Sequence, residues 1–342
     1  MHIRNFDLNK KVFIVAELSA NHAQNLDIAL KSVRAAKEAG ADAIKIQTYT
    51  PHSLTLDSKK DDFIIKGGLW DKKSFFELYD NAKTPYEWHS QIFEAAQDAG
   101  IICFSSPFCK DDLEFLKRFD PPAYKIASFE ANDENFARLV IREKKPVLVS
   151  TGIATKEELK RICEICKEEE NENLILLKCT SSYPADTKDM NLSSINLLKK
   201  EFNCIVGLSD HSLDNLSSII AVSLGARVVE KHFCLDKSIK SEDSAFSLDF
   251  NEFKSLCEDI RKTEEALGKP SLELDEKGLK NRVFARSLYA SADIKKGEIF
   301  TESNIKSIRP NFGLHPKFYK DLLGKKAKRD IKFADALNEG DL

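Results

Sequence analysis

The sequence predicts an α/β protein that consists of a (β/α)8 TIM barrel followed by a smaller C-terminal domain. Eight short runs rich in β-branched residues recur along the chain, and segments with helical periodicity separate them. Two of these helical segments end at Gly40 and Gly100, where a helix C-cap favours glycine. Strands that alternate with helices indicate a parallel sheet, and eight such units in about 240 residues are typical of a closed barrel.

The eight predicted strands are residues 12–18, 43–48, 101–107, 123–128, 146–152, 174–180, 204–211 and 227–233. An open doubly wound sheet is the alternative arrangement, and it favours a glycine-rich turn directly after the first strand. The stretch AELSANH, which begins at Ala16, contains no glycine. The sequence therefore favours the closed barrel.

The domain organisation follows from where this alternation ends. We expect the barrel to occupy residues 1–268, a polar linker to occupy 269–282 and the small domain to occupy 283–342. Residues 50–83, which follow the second predicted strand, are longer than an ordinary βα loop. They form either a cover over the active-site end of the barrel or a surface excursion.

The composition excludes several kinds of partner. The 52 Lys and Arg residues nearly balance the 55 Asp and Glu residues, so the chain has no overall attraction for nucleic acid or for an anionic membrane. No apolar run approaches the length of a membrane span, and the first residues lack the apolar core of a signal peptide. The eight cysteines, including Cys163 and Cys166 within a helical pattern, are interpreted as reduced thiols. These features predict a cytoplasmic protein with a small-molecule substrate.

The carboxyl ends of the predicted strands carry reactive side chains, and in barrel enzymes these ends form the active site. The residues concerned are Glu17, Lys45, Gln47, Ser105, Ser106, Lys125, Ser128, Glu130, Ser150, Thr151, Lys178 to Ser182, Ser209, Asp210, His211, Glu230, Lys231 and His232. Residues two apart on a strand point the same way. We therefore expect three pairs to share a face, namely Lys45 with Gln47, Ser209 with His211, and Glu230 with His232.

His211 and His232 end the seventh and eighth predicted strands, which are neighbours in a barrel. Two imidazoles there could bind one divalent metal ion and leave positions for water and substrate oxygens, as a catalytic site requires. Mixed nitrogen and oxygen ligands favour Mn²⁺, Co²⁺ or Zn²⁺ over Mg²⁺. The alternative is that the two histidines are polar residues with unrelated roles.

Lys45 and Lys125 are expected in the barrel mouth, where a buried charge without a partner is costly. They indicate a substrate that carries phosphate and carboxylate groups. The hydroxyls that could complete such an anion site belong to Ser128, Ser150, Thr151 and Ser209. Two alternatives remain for each lysine: a Schiff base with a carbonyl substrate, or a salt bridge to Glu17, Glu130 or Glu230.

Eight stretches distributed along the chain form a specific pattern. They are AELSANHAQNLDIAL, KIQTYT, SSPF, YKIAS, STG, GLSDH and EKHF in the barrel and SIRPNFG in the small domain. Over essentially the whole chain this pattern resembles the sialic acid synthase family, whose C-terminal module is antifreeze-like (SAF). The resemblance implies a transferase that condenses phosphoenolpyruvate with an open-chain acylated amino sugar and water. The products would be a nine-carbon 2-keto acid and phosphate.

The resemblance also implies roles for individual residues. It implies a divalent metal ion, Mn²⁺, Co²⁺ or Mg²⁺, bound by His211 and His232. It places phosphoenolpyruvate among Lys45, Lys125, Ser128, Ser150, Ser181 and Ser209. It gives catalytic work to Glu17, Glu130, Glu230 and Lys45. It assigns the sugar to Gln47, Tyr183, Asp243, Phe284 and Arg309.

Two further points follow from the same resemblance. Ser181 departs from the family pattern, which usually has asparagine at this position. In relatives the small domain reaches the active site of a partner subunit, so a domain-swapped homodimer is implied.

Four stretches, KIQTYTPHSLTL, FIIKGGLWD, SFEANDENF and KSEDSAFSLDF, resemble one branch of the family in particular. That branch uses a 2,4-diacetamido-2,4,6-trideoxy-L-altrose, and its product decorates bacterial flagella or surface glycans. A branch that makes N-acetylneuraminate or legionaminate is the alternative within the family. Outside the family, the sequence also allows a metal-dependent or Schiff-base barrel aldolase and a non-catalytic protein that binds sugar acids.

Overall fold

Eight parallel strands close into a barrel in the computed structural model, which describes residues Met1–Leu342. The strands are β1 (Phe13–Glu17), β2 (Ala43–Thr48), β3 (Ile102–Pro107), β4 (Tyr124–Ile126), β5 (Val147–Ser150), β6 (Leu174–Cys179), β7 (Ile205–Asp210) and β8 (Val228–His232). Each strand lies within one predicted run, and β8 pairs with β1 to close the sheet. The predicted (β/α)8 TIM barrel is confirmed.

Apolar side chains fill the inside of the barrel. The residues of this inner core that lie on the strands are Phe13, Val15, Ala43, Ile102, Phe104, Leu148, Ile175, Leu177 and Val228, and Ala123 precedes β4 directly. A short N-terminal hairpin, His2–Ile3 paired with Phe6–Asp7, packs against the amino ends of the strands, with the Phe6 ring 4.8 Å from the ring of Phe13. The polar strand ends therefore lie together at the opposite, carboxyl end of the barrel.

β7 and β8 approach each other closely at Gly207. A Cβ atom at this position would lie 2.5 Å from the carbonyl oxygen of Val228, so only glycine fits. Two residues further along β7, Ser209 lies opposite Glu230 of β8. The close approach therefore brings the reactive ends of these two strands side by side.

Helices cover the outside of the barrel. The α-helices of this unit are Leu26–Glu38, Pro51–Leu54, Phe75–Ala82, His89–Ala99, Lys110–Leu116, Glu134–Ile141, Lys156–Glu168, Ser194–Phe202, Leu216–Ser223 and Phe250–Leu267. Gly40 and Gly100 follow two of them with φ angles of 101° and 64°, which agrees with the predicted C-caps. Cys163 and Cys166 lie in one helix, and all eight cysteines are free thiols. None of the helices combines the length and apolar character that crossing a membrane requires.

Residues 50–83 contain a hairpin whose two sides are joined by an antiparallel bridge between Ile64 and Ser74. Two glycines at the tip adopt left-handed φ angles, which allows the chain to reverse there. Lys73 forms an ion pair with Glu242, with 2.7 Å between Nζ and Oε1. The hairpin is thus attached to the loop that follows β8.

The structure divides into two compact units, Met1–Gly268 and Lys269–Leu342. The C-terminal unit has two antiparallel strands, β9 (Ser287–Ala290) and β10 (Ile305–Ile308). Its helices are Glu276–Asn281 and Tyr319–Leu322, the first of which lies in the stretch predicted to be a linker. Its own apolar core consists of Leu288, Ala290, Ile294, Phe300, Ile305, Leu314, Leu322, Ala327, Ile331 and Leu337.

Candidate active site

The pairing register places the predicted reactive residues in contact at the carboxyl end of the barrel. Glu17 of β1 lies opposite both Lys45 of β2 and His232 of β8, and Ser209 of β7 lies opposite Glu230 of β8. All five of these residues are buried. The alternation that predicted their common orientation therefore agrees with their positions in the structure.

Two lysines and two glutamates form an inner charged cluster, which consists of Glu17, Lys45, Lys125 and Glu230. Lys45 Nζ lies 2.6 Å from Glu17 Oε2 and 3.7 Å from Glu230 Oε1, and Lys125 Nζ lies 3.9 Å from Glu230 Oε1. The salt bridges that the sequence allowed as an alternative are therefore present for both lysines, and the one formed by Lys125 is longer. They do not exclude substrate binding, because the cluster also touches Gln47, Ser106 and Ser209 along one polar surface.

Burial, the repulsion between the two glutamates and the attraction of the neighbouring lysines push the pKa values of Glu17 and Glu230 apart. Burial raises the pKa of Glu17 to about 7, because desolvation and the charge of Glu230 together outweigh the attraction of Lys45. Burial also disfavours ionisation of Glu230, but Lys45 and Lys125 hold its pKa below the ordinary value. The raised pKa of Glu17 and the lowered pKa of Glu230 suit two carboxyl groups with different roles in proton transfer.

The pKa values of the two lysines also differ. Burial opposes the charge on Lys45, yet Glu17 and Glu230 hold its pKa above the ordinary value. Burial lowers the pKa of Lys125, whose attraction to Glu230 only partly compensates. Lys125 Nζ donates to the carbonyl of Ile126 at 3.1 Å. Of the two lysines in the inner charged cluster, Lys125 is therefore the one for which the neighbouring carboxylates offset less of the cost of burying its charge.

Several buried polar atoms at this end of the barrel have no hydrogen-bond partner in the protein. They are Oε2 of Glu130, Oγ of Ser150, Oε2 of Glu230 and Nδ1 of His232. Buried polar atoms in proteins are normally paired, so a concentration of unpaired ones indicates a site for a polar ligand. Burial also raises the pKa of Glu130 to about 7.

The two predicted metal-binding histidines lie next to each other, with ring centroids 5.4 Å apart. His211 Nδ1 donates to the carbonyl of Thr180 at 2.9 Å, which leaves its Nε2 atom free to act as a ligand. Burial lowers the pKa of both His211 and His232, so both rings are in the neutral form that binds metals. The two imidazoles fit a metal ion that takes its other ligands from water or substrate.

The structure contains no group of three or more His, Cys, Asp or Glu side chains arranged to hold a metal ion. Asp243 is the acidic group nearest to His232 Nδ1, with 3.8 Å between that atom and Asp243 Oδ2. Asp243 Oδ2 already accepts a hydrogen bond from the amide of Ala20 at 3.2 Å. His211 and His232 are therefore the two side chains that could hold a metal ion here.

Three serines predicted to bind phosphoenolpyruvate lie around Gly152, directly after β5. The amide of Gly152 donates to Ser128 Oγ at 3.1 Å, and a Cβ atom on Gly152 would overlap the hydroxyls of both Ser128 and Ser181. Ser150 is buried two residues before Gly152. The structure thus brings Ser181, the departure from the family pattern, next to Ser128.

Two predicted sugar-binding residues, Phe284 and Arg309, belong to the C-terminal unit. Both side chains are exposed there. The remaining three are Gln47, Tyr183 and Asp243, and all of them lie at the carboxyl end of the barrel.

Two aromatic residues of this site were not predicted. The ring of Phe246 lies 4.9 Å from His232, and Trp70 lies 6.1 Å from Tyr183 and 6.3 Å from Phe246. Tyr183 itself lies 4.3 Å from His211. The signals in the sequence were that FIIKGGLWD, which contains Trp70, and KSEDSAFSLDF, which contains Phe246, resemble one branch of the family. Neither resemblance indicates where the side chains lie.

A second buried ion pair lies on the outer face of the same strands. Lys231 Nζ donates to Asp210 Oδ2 at 2.8 Å, and neither side chain is exposed to solvent. Asp210 Oδ2 also accepts from Ser218 Oγ at 2.7 Å. Asp210 and Lys231, which the sequence placed among the reactive strand ends, therefore do not point into the candidate site.

The fold and the site define a barrel enzyme with a buried charged cluster and two neighbouring histidines, and comparison with known proteins identifies its family. The model of the NeuB family matches residues 32–271, and the SAF domain model matches residues 285–342. The chain belongs to the NeuB family.

Individual relatives are similar along most or all of their length. The chain is 71% identical to a protein of Campylobacter jejuni named pseudaminic acid synthase, covering 100% of this chain and 99% of the relative. It is 49% identical to the Helicobacter pylori protein of the same name, covering 96% and 97%. Among solved structures, N-acetylneuraminic acid synthetase from Leptospira borgpetersenii has 28% identity and a TM-score of 0.72, covering 80% of this chain and 90% of that one.

Proposed function

We propose that the chain condenses phosphoenolpyruvate with 2,4-diacetamido-2,4,6-trideoxy-β-L-altropyranose and water to give pseudaminic acid and phosphate. The observation that carries this proposal is the inner charged cluster beside two neutral histidines at the carboxyl end of the barrel. The names of the relatives with 71% and 49% identity support the choice of sugar. The relative named for N-acetylneuraminic acid is 28% identical, which makes that branch the weaker alternative.

The cations and hydroxyls of the site suit the anionic substrate. Lys45 and Lys125 would hold the carboxylate and phosphate of phosphoenolpyruvate, because a buried ammonium group binds such anions with charge-assisted hydrogen bonds. The hydroxyls proposed to complete the anion site are those of Ser128, Ser150, Ser181 and Ser209. Bound phosphoenolpyruvate would give the ammonium group of Lys125 an anionic partner, since Glu230 offsets the cost of burying this charge only partly.

The carboxyl groups suit proton transfer and sugar binding. Glu17, whose pKa is about 7, can donate or accept a proton near neutral pH, and Gln47 Nε2 orients it with a hydrogen bond of 3.1 Å. Glu230 remains ionised beside Lys45 and holds that lysine in place. Glu130 is proposed as a second acid–base group, and Asp243 and Tyr183 are proposed to contact the sugar.

A divalent metal ion, Mn²⁺, Co²⁺ or Mg²⁺, would be held by His211 and His232. When bound, such an ion supplies Lewis acidity toward a carbonyl oxygen of the acceptor sugar. The two histidines keep this role only while they are neutral, and their burial maintains that form. Titration of the wild-type protein with Mn²⁺, followed by calorimetry, should reveal one site that is lost in a His232→Ala variant.

The proposal includes the arrangement of the protein in the cell. We propose a cytoplasmic enzyme with a barrel over residues 1–268, a linker over 269–282 and an SAF domain over 283–342. We also propose a domain-swapped homodimer, in which Phe284 and Arg309 of one subunit contact the sugar bound by its partner. Sedimentation of the purified protein at several concentrations tests the dimer, and a monomer at all of them would contradict it.

Phosphate release from phosphoenolpyruvate tests the proposed reaction. Purified protein with Mn²⁺ should release phosphate when the 6-deoxy diacetamido altrose is present, and EDTA should stop the release. Release with N-acetylmannosamine alone would assign the chain to the sialic acid branch. Release with neither sugar would contradict the synthase function.

A further inference from the structure

We infer that Trp70 is a specificity-determining residue that selects acceptor sugars ending in a methyl group over sugars ending in a hydroxymethyl group. This inference rests on the proposed function and concerns the same site. It is carried by the aromatic wall, which consists of Trp70, Tyr183 and Phe246 and stands beside the two histidines.

The aromatic wall begins at the histidines and extends away from them. Tyr183 lies 4.3 Å from His211, and Phe246 lies 4.9 Å from His232, measured between ring centroids. Trp70 contacts both of these rings, at 6.1 Å and 6.3 Å, and so lies one ring further from the histidines. A sugar whose carbonyl carbon is held at the histidines would extend its far end along this wall toward Trp70.

The position of Trp70 is fixed by contacts outside the wall. Its indole N–H donates to the carbonyl of Glu242 at 3.3 Å, and the neighbouring Lys73 forms an ion pair with the Glu242 carboxylate. The polar atom of the indole is therefore already used, and the rest of the ring system is apolar. Trp70 is half-buried, whereas Phe246 is only 1% exposed, so Trp70 forms the outer edge of the wall.

An apolar edge distinguishes the two kinds of sugar for a simple reason. A methyl group gains from contact with the indole ring, because apolar surface leaves water. A hydroxyl group at the same place would lose water without gaining a hydrogen bond from the indole, which disfavours its burial. Two substrates that differ by one such small group in an apolar pocket typically differ in kcat/KM by roughly 10-fold to 200-fold.

The test compares two acceptors of the same configuration, one 6-deoxy and one with a hydroxyl at C6, by phosphate release. The wild-type protein should prefer the 6-deoxy sugar, and Trp70→Ala should reduce the ratio of the two kcat/KM values by on the order of tenfold. Trp70→Phe should retain most of the ratio. Leu69→Ala is the matched control, because Leu69 is the preceding residue and is 52% exposed.

Two results would overturn the inference. One is a Trp70→Ala variant that loses activity equally with both sugars, and the second is a Leu69→Ala variant that changes the ratio as much as Trp70→Ala does. If Trp70→Ala does not fold, Trp70→Gln and Trp70→Phe replace it, and equal ratios in these two variants would also overturn the inference. Failure of the proposed function is distinguishable, because the wild-type protein itself would then release no phosphate with the 6-deoxy sugar.

Discussion

Two buried lysines at the carboxyl end of the barrel have opposite surroundings. Lys231, on the outer face of β8, donates to Asp210 Oδ2, to Ser212 Oγ and to the carbonyl of Asp214, at 2.8, 3.0 and 2.8 Å. Lys45, on the inner face of β2, is shared between two glutamates, and Oε2 of Glu230 has no partner.

This difference is the one expected between a structural ion pair and the proposed substrate site. Around Lys231 every donor and acceptor is used, so a ligand would gain nothing there. Around Lys45 the charges are balanced but the hydrogen bonds are incomplete, so an anionic or hydroxylated ligand can add contacts that the protein alone does not supply. Burial is common to both lysines, so the incomplete hydrogen bonding around Lys45 is what supports its proposed role.

The largest effect on activity is expected from Lys45→Met. The variant should lower kcat/KM by roughly 10²-fold to 10³-fold, because the site loses a preorganised cation that faces the substrate. Phosphate release under saturating sugar measures this effect. Activity within a few-fold of the wild-type level would contradict the functional assignment of the inner charged cluster.

The largest effect on stability is expected from Lys231→Met. The variant leaves Asp210 buried without its cation, and breaking such a pair costs about 3 to 5 kcal/mol of the free energy of unfolding. Urea denaturation measures the change. The double variant Asp210→Leu with Lys231→Met should regain much of the loss, and a single variant as stable as the wild type would contradict the structural role.

A moderate, pH-dependent effect is expected from Glu130→Gln. The pKa of Glu130 is raised by burial to about 7 in the folded protein, above the value in the unfolded chain. The folded state therefore binds this proton more strongly, and the contribution of Glu130 to stability falls as pH rises from about 4.5 to about 7. Urea denaturation should therefore show that the free energy of unfolding of Glu130→Gln, minus that of the wild type, is larger at pH 8 than at pH 5. The same value at both pH values would contradict the raised pKa.

The smallest effect is expected from Lys73→Ala. The side chains of Lys73 and Glu242 are 35% and 20% exposed, and partly exposed ion pairs contribute at most about 1 kcal/mol. Thermal unfolding should detect only a small shift, and Glu242→Gln should give a similar one. A loss comparable to that of Lys231→Met would show that the hairpin within residues 50–83 is part of the core.

The barrel and the inner face of its site could be predicted from the sequence because both depend on local periodicity. The alternation of residues along β2, β7 and β8 predicted that Lys45, Ser209 and Glu230 each share a face with the residue two positions further on. In the structure that face is the inner one. The same alternation explains why Asp210 and Lys231 point outward, although the sequence does not reveal that they pair.

The aromatic wall could not be predicted for the opposite reason. Trp70 reaches the site only because residues 50–83 fold back onto the loop after β8, and that contact joins Trp70 to Glu242 across 172 positions of sequence. No periodic pattern encodes a contact between two loops so distant in sequence. Phe284 and Arg309 belong to the C-terminal unit, and their proposed contacts with the sugar rest on the family resemblance, because no local pattern in the sequence indicates them.

Titration of the protein with phosphoenolpyruvate, followed by calorimetry, tests most directly whether the inner charged cluster is the anion site. Lys178→Met is the matched control, because Lys178 also ends a strand but alternates onto the outer face with Leu174 and Leu176. The wild-type and Lys178→Met proteins should bind phosphoenolpyruvate with similar affinity, and Lys45→Met should bind it at least about tenfold more weakly. Equal affinity of Lys45→Met and the wild type, or loss of binding only in Lys178→Met, would contradict the assignment.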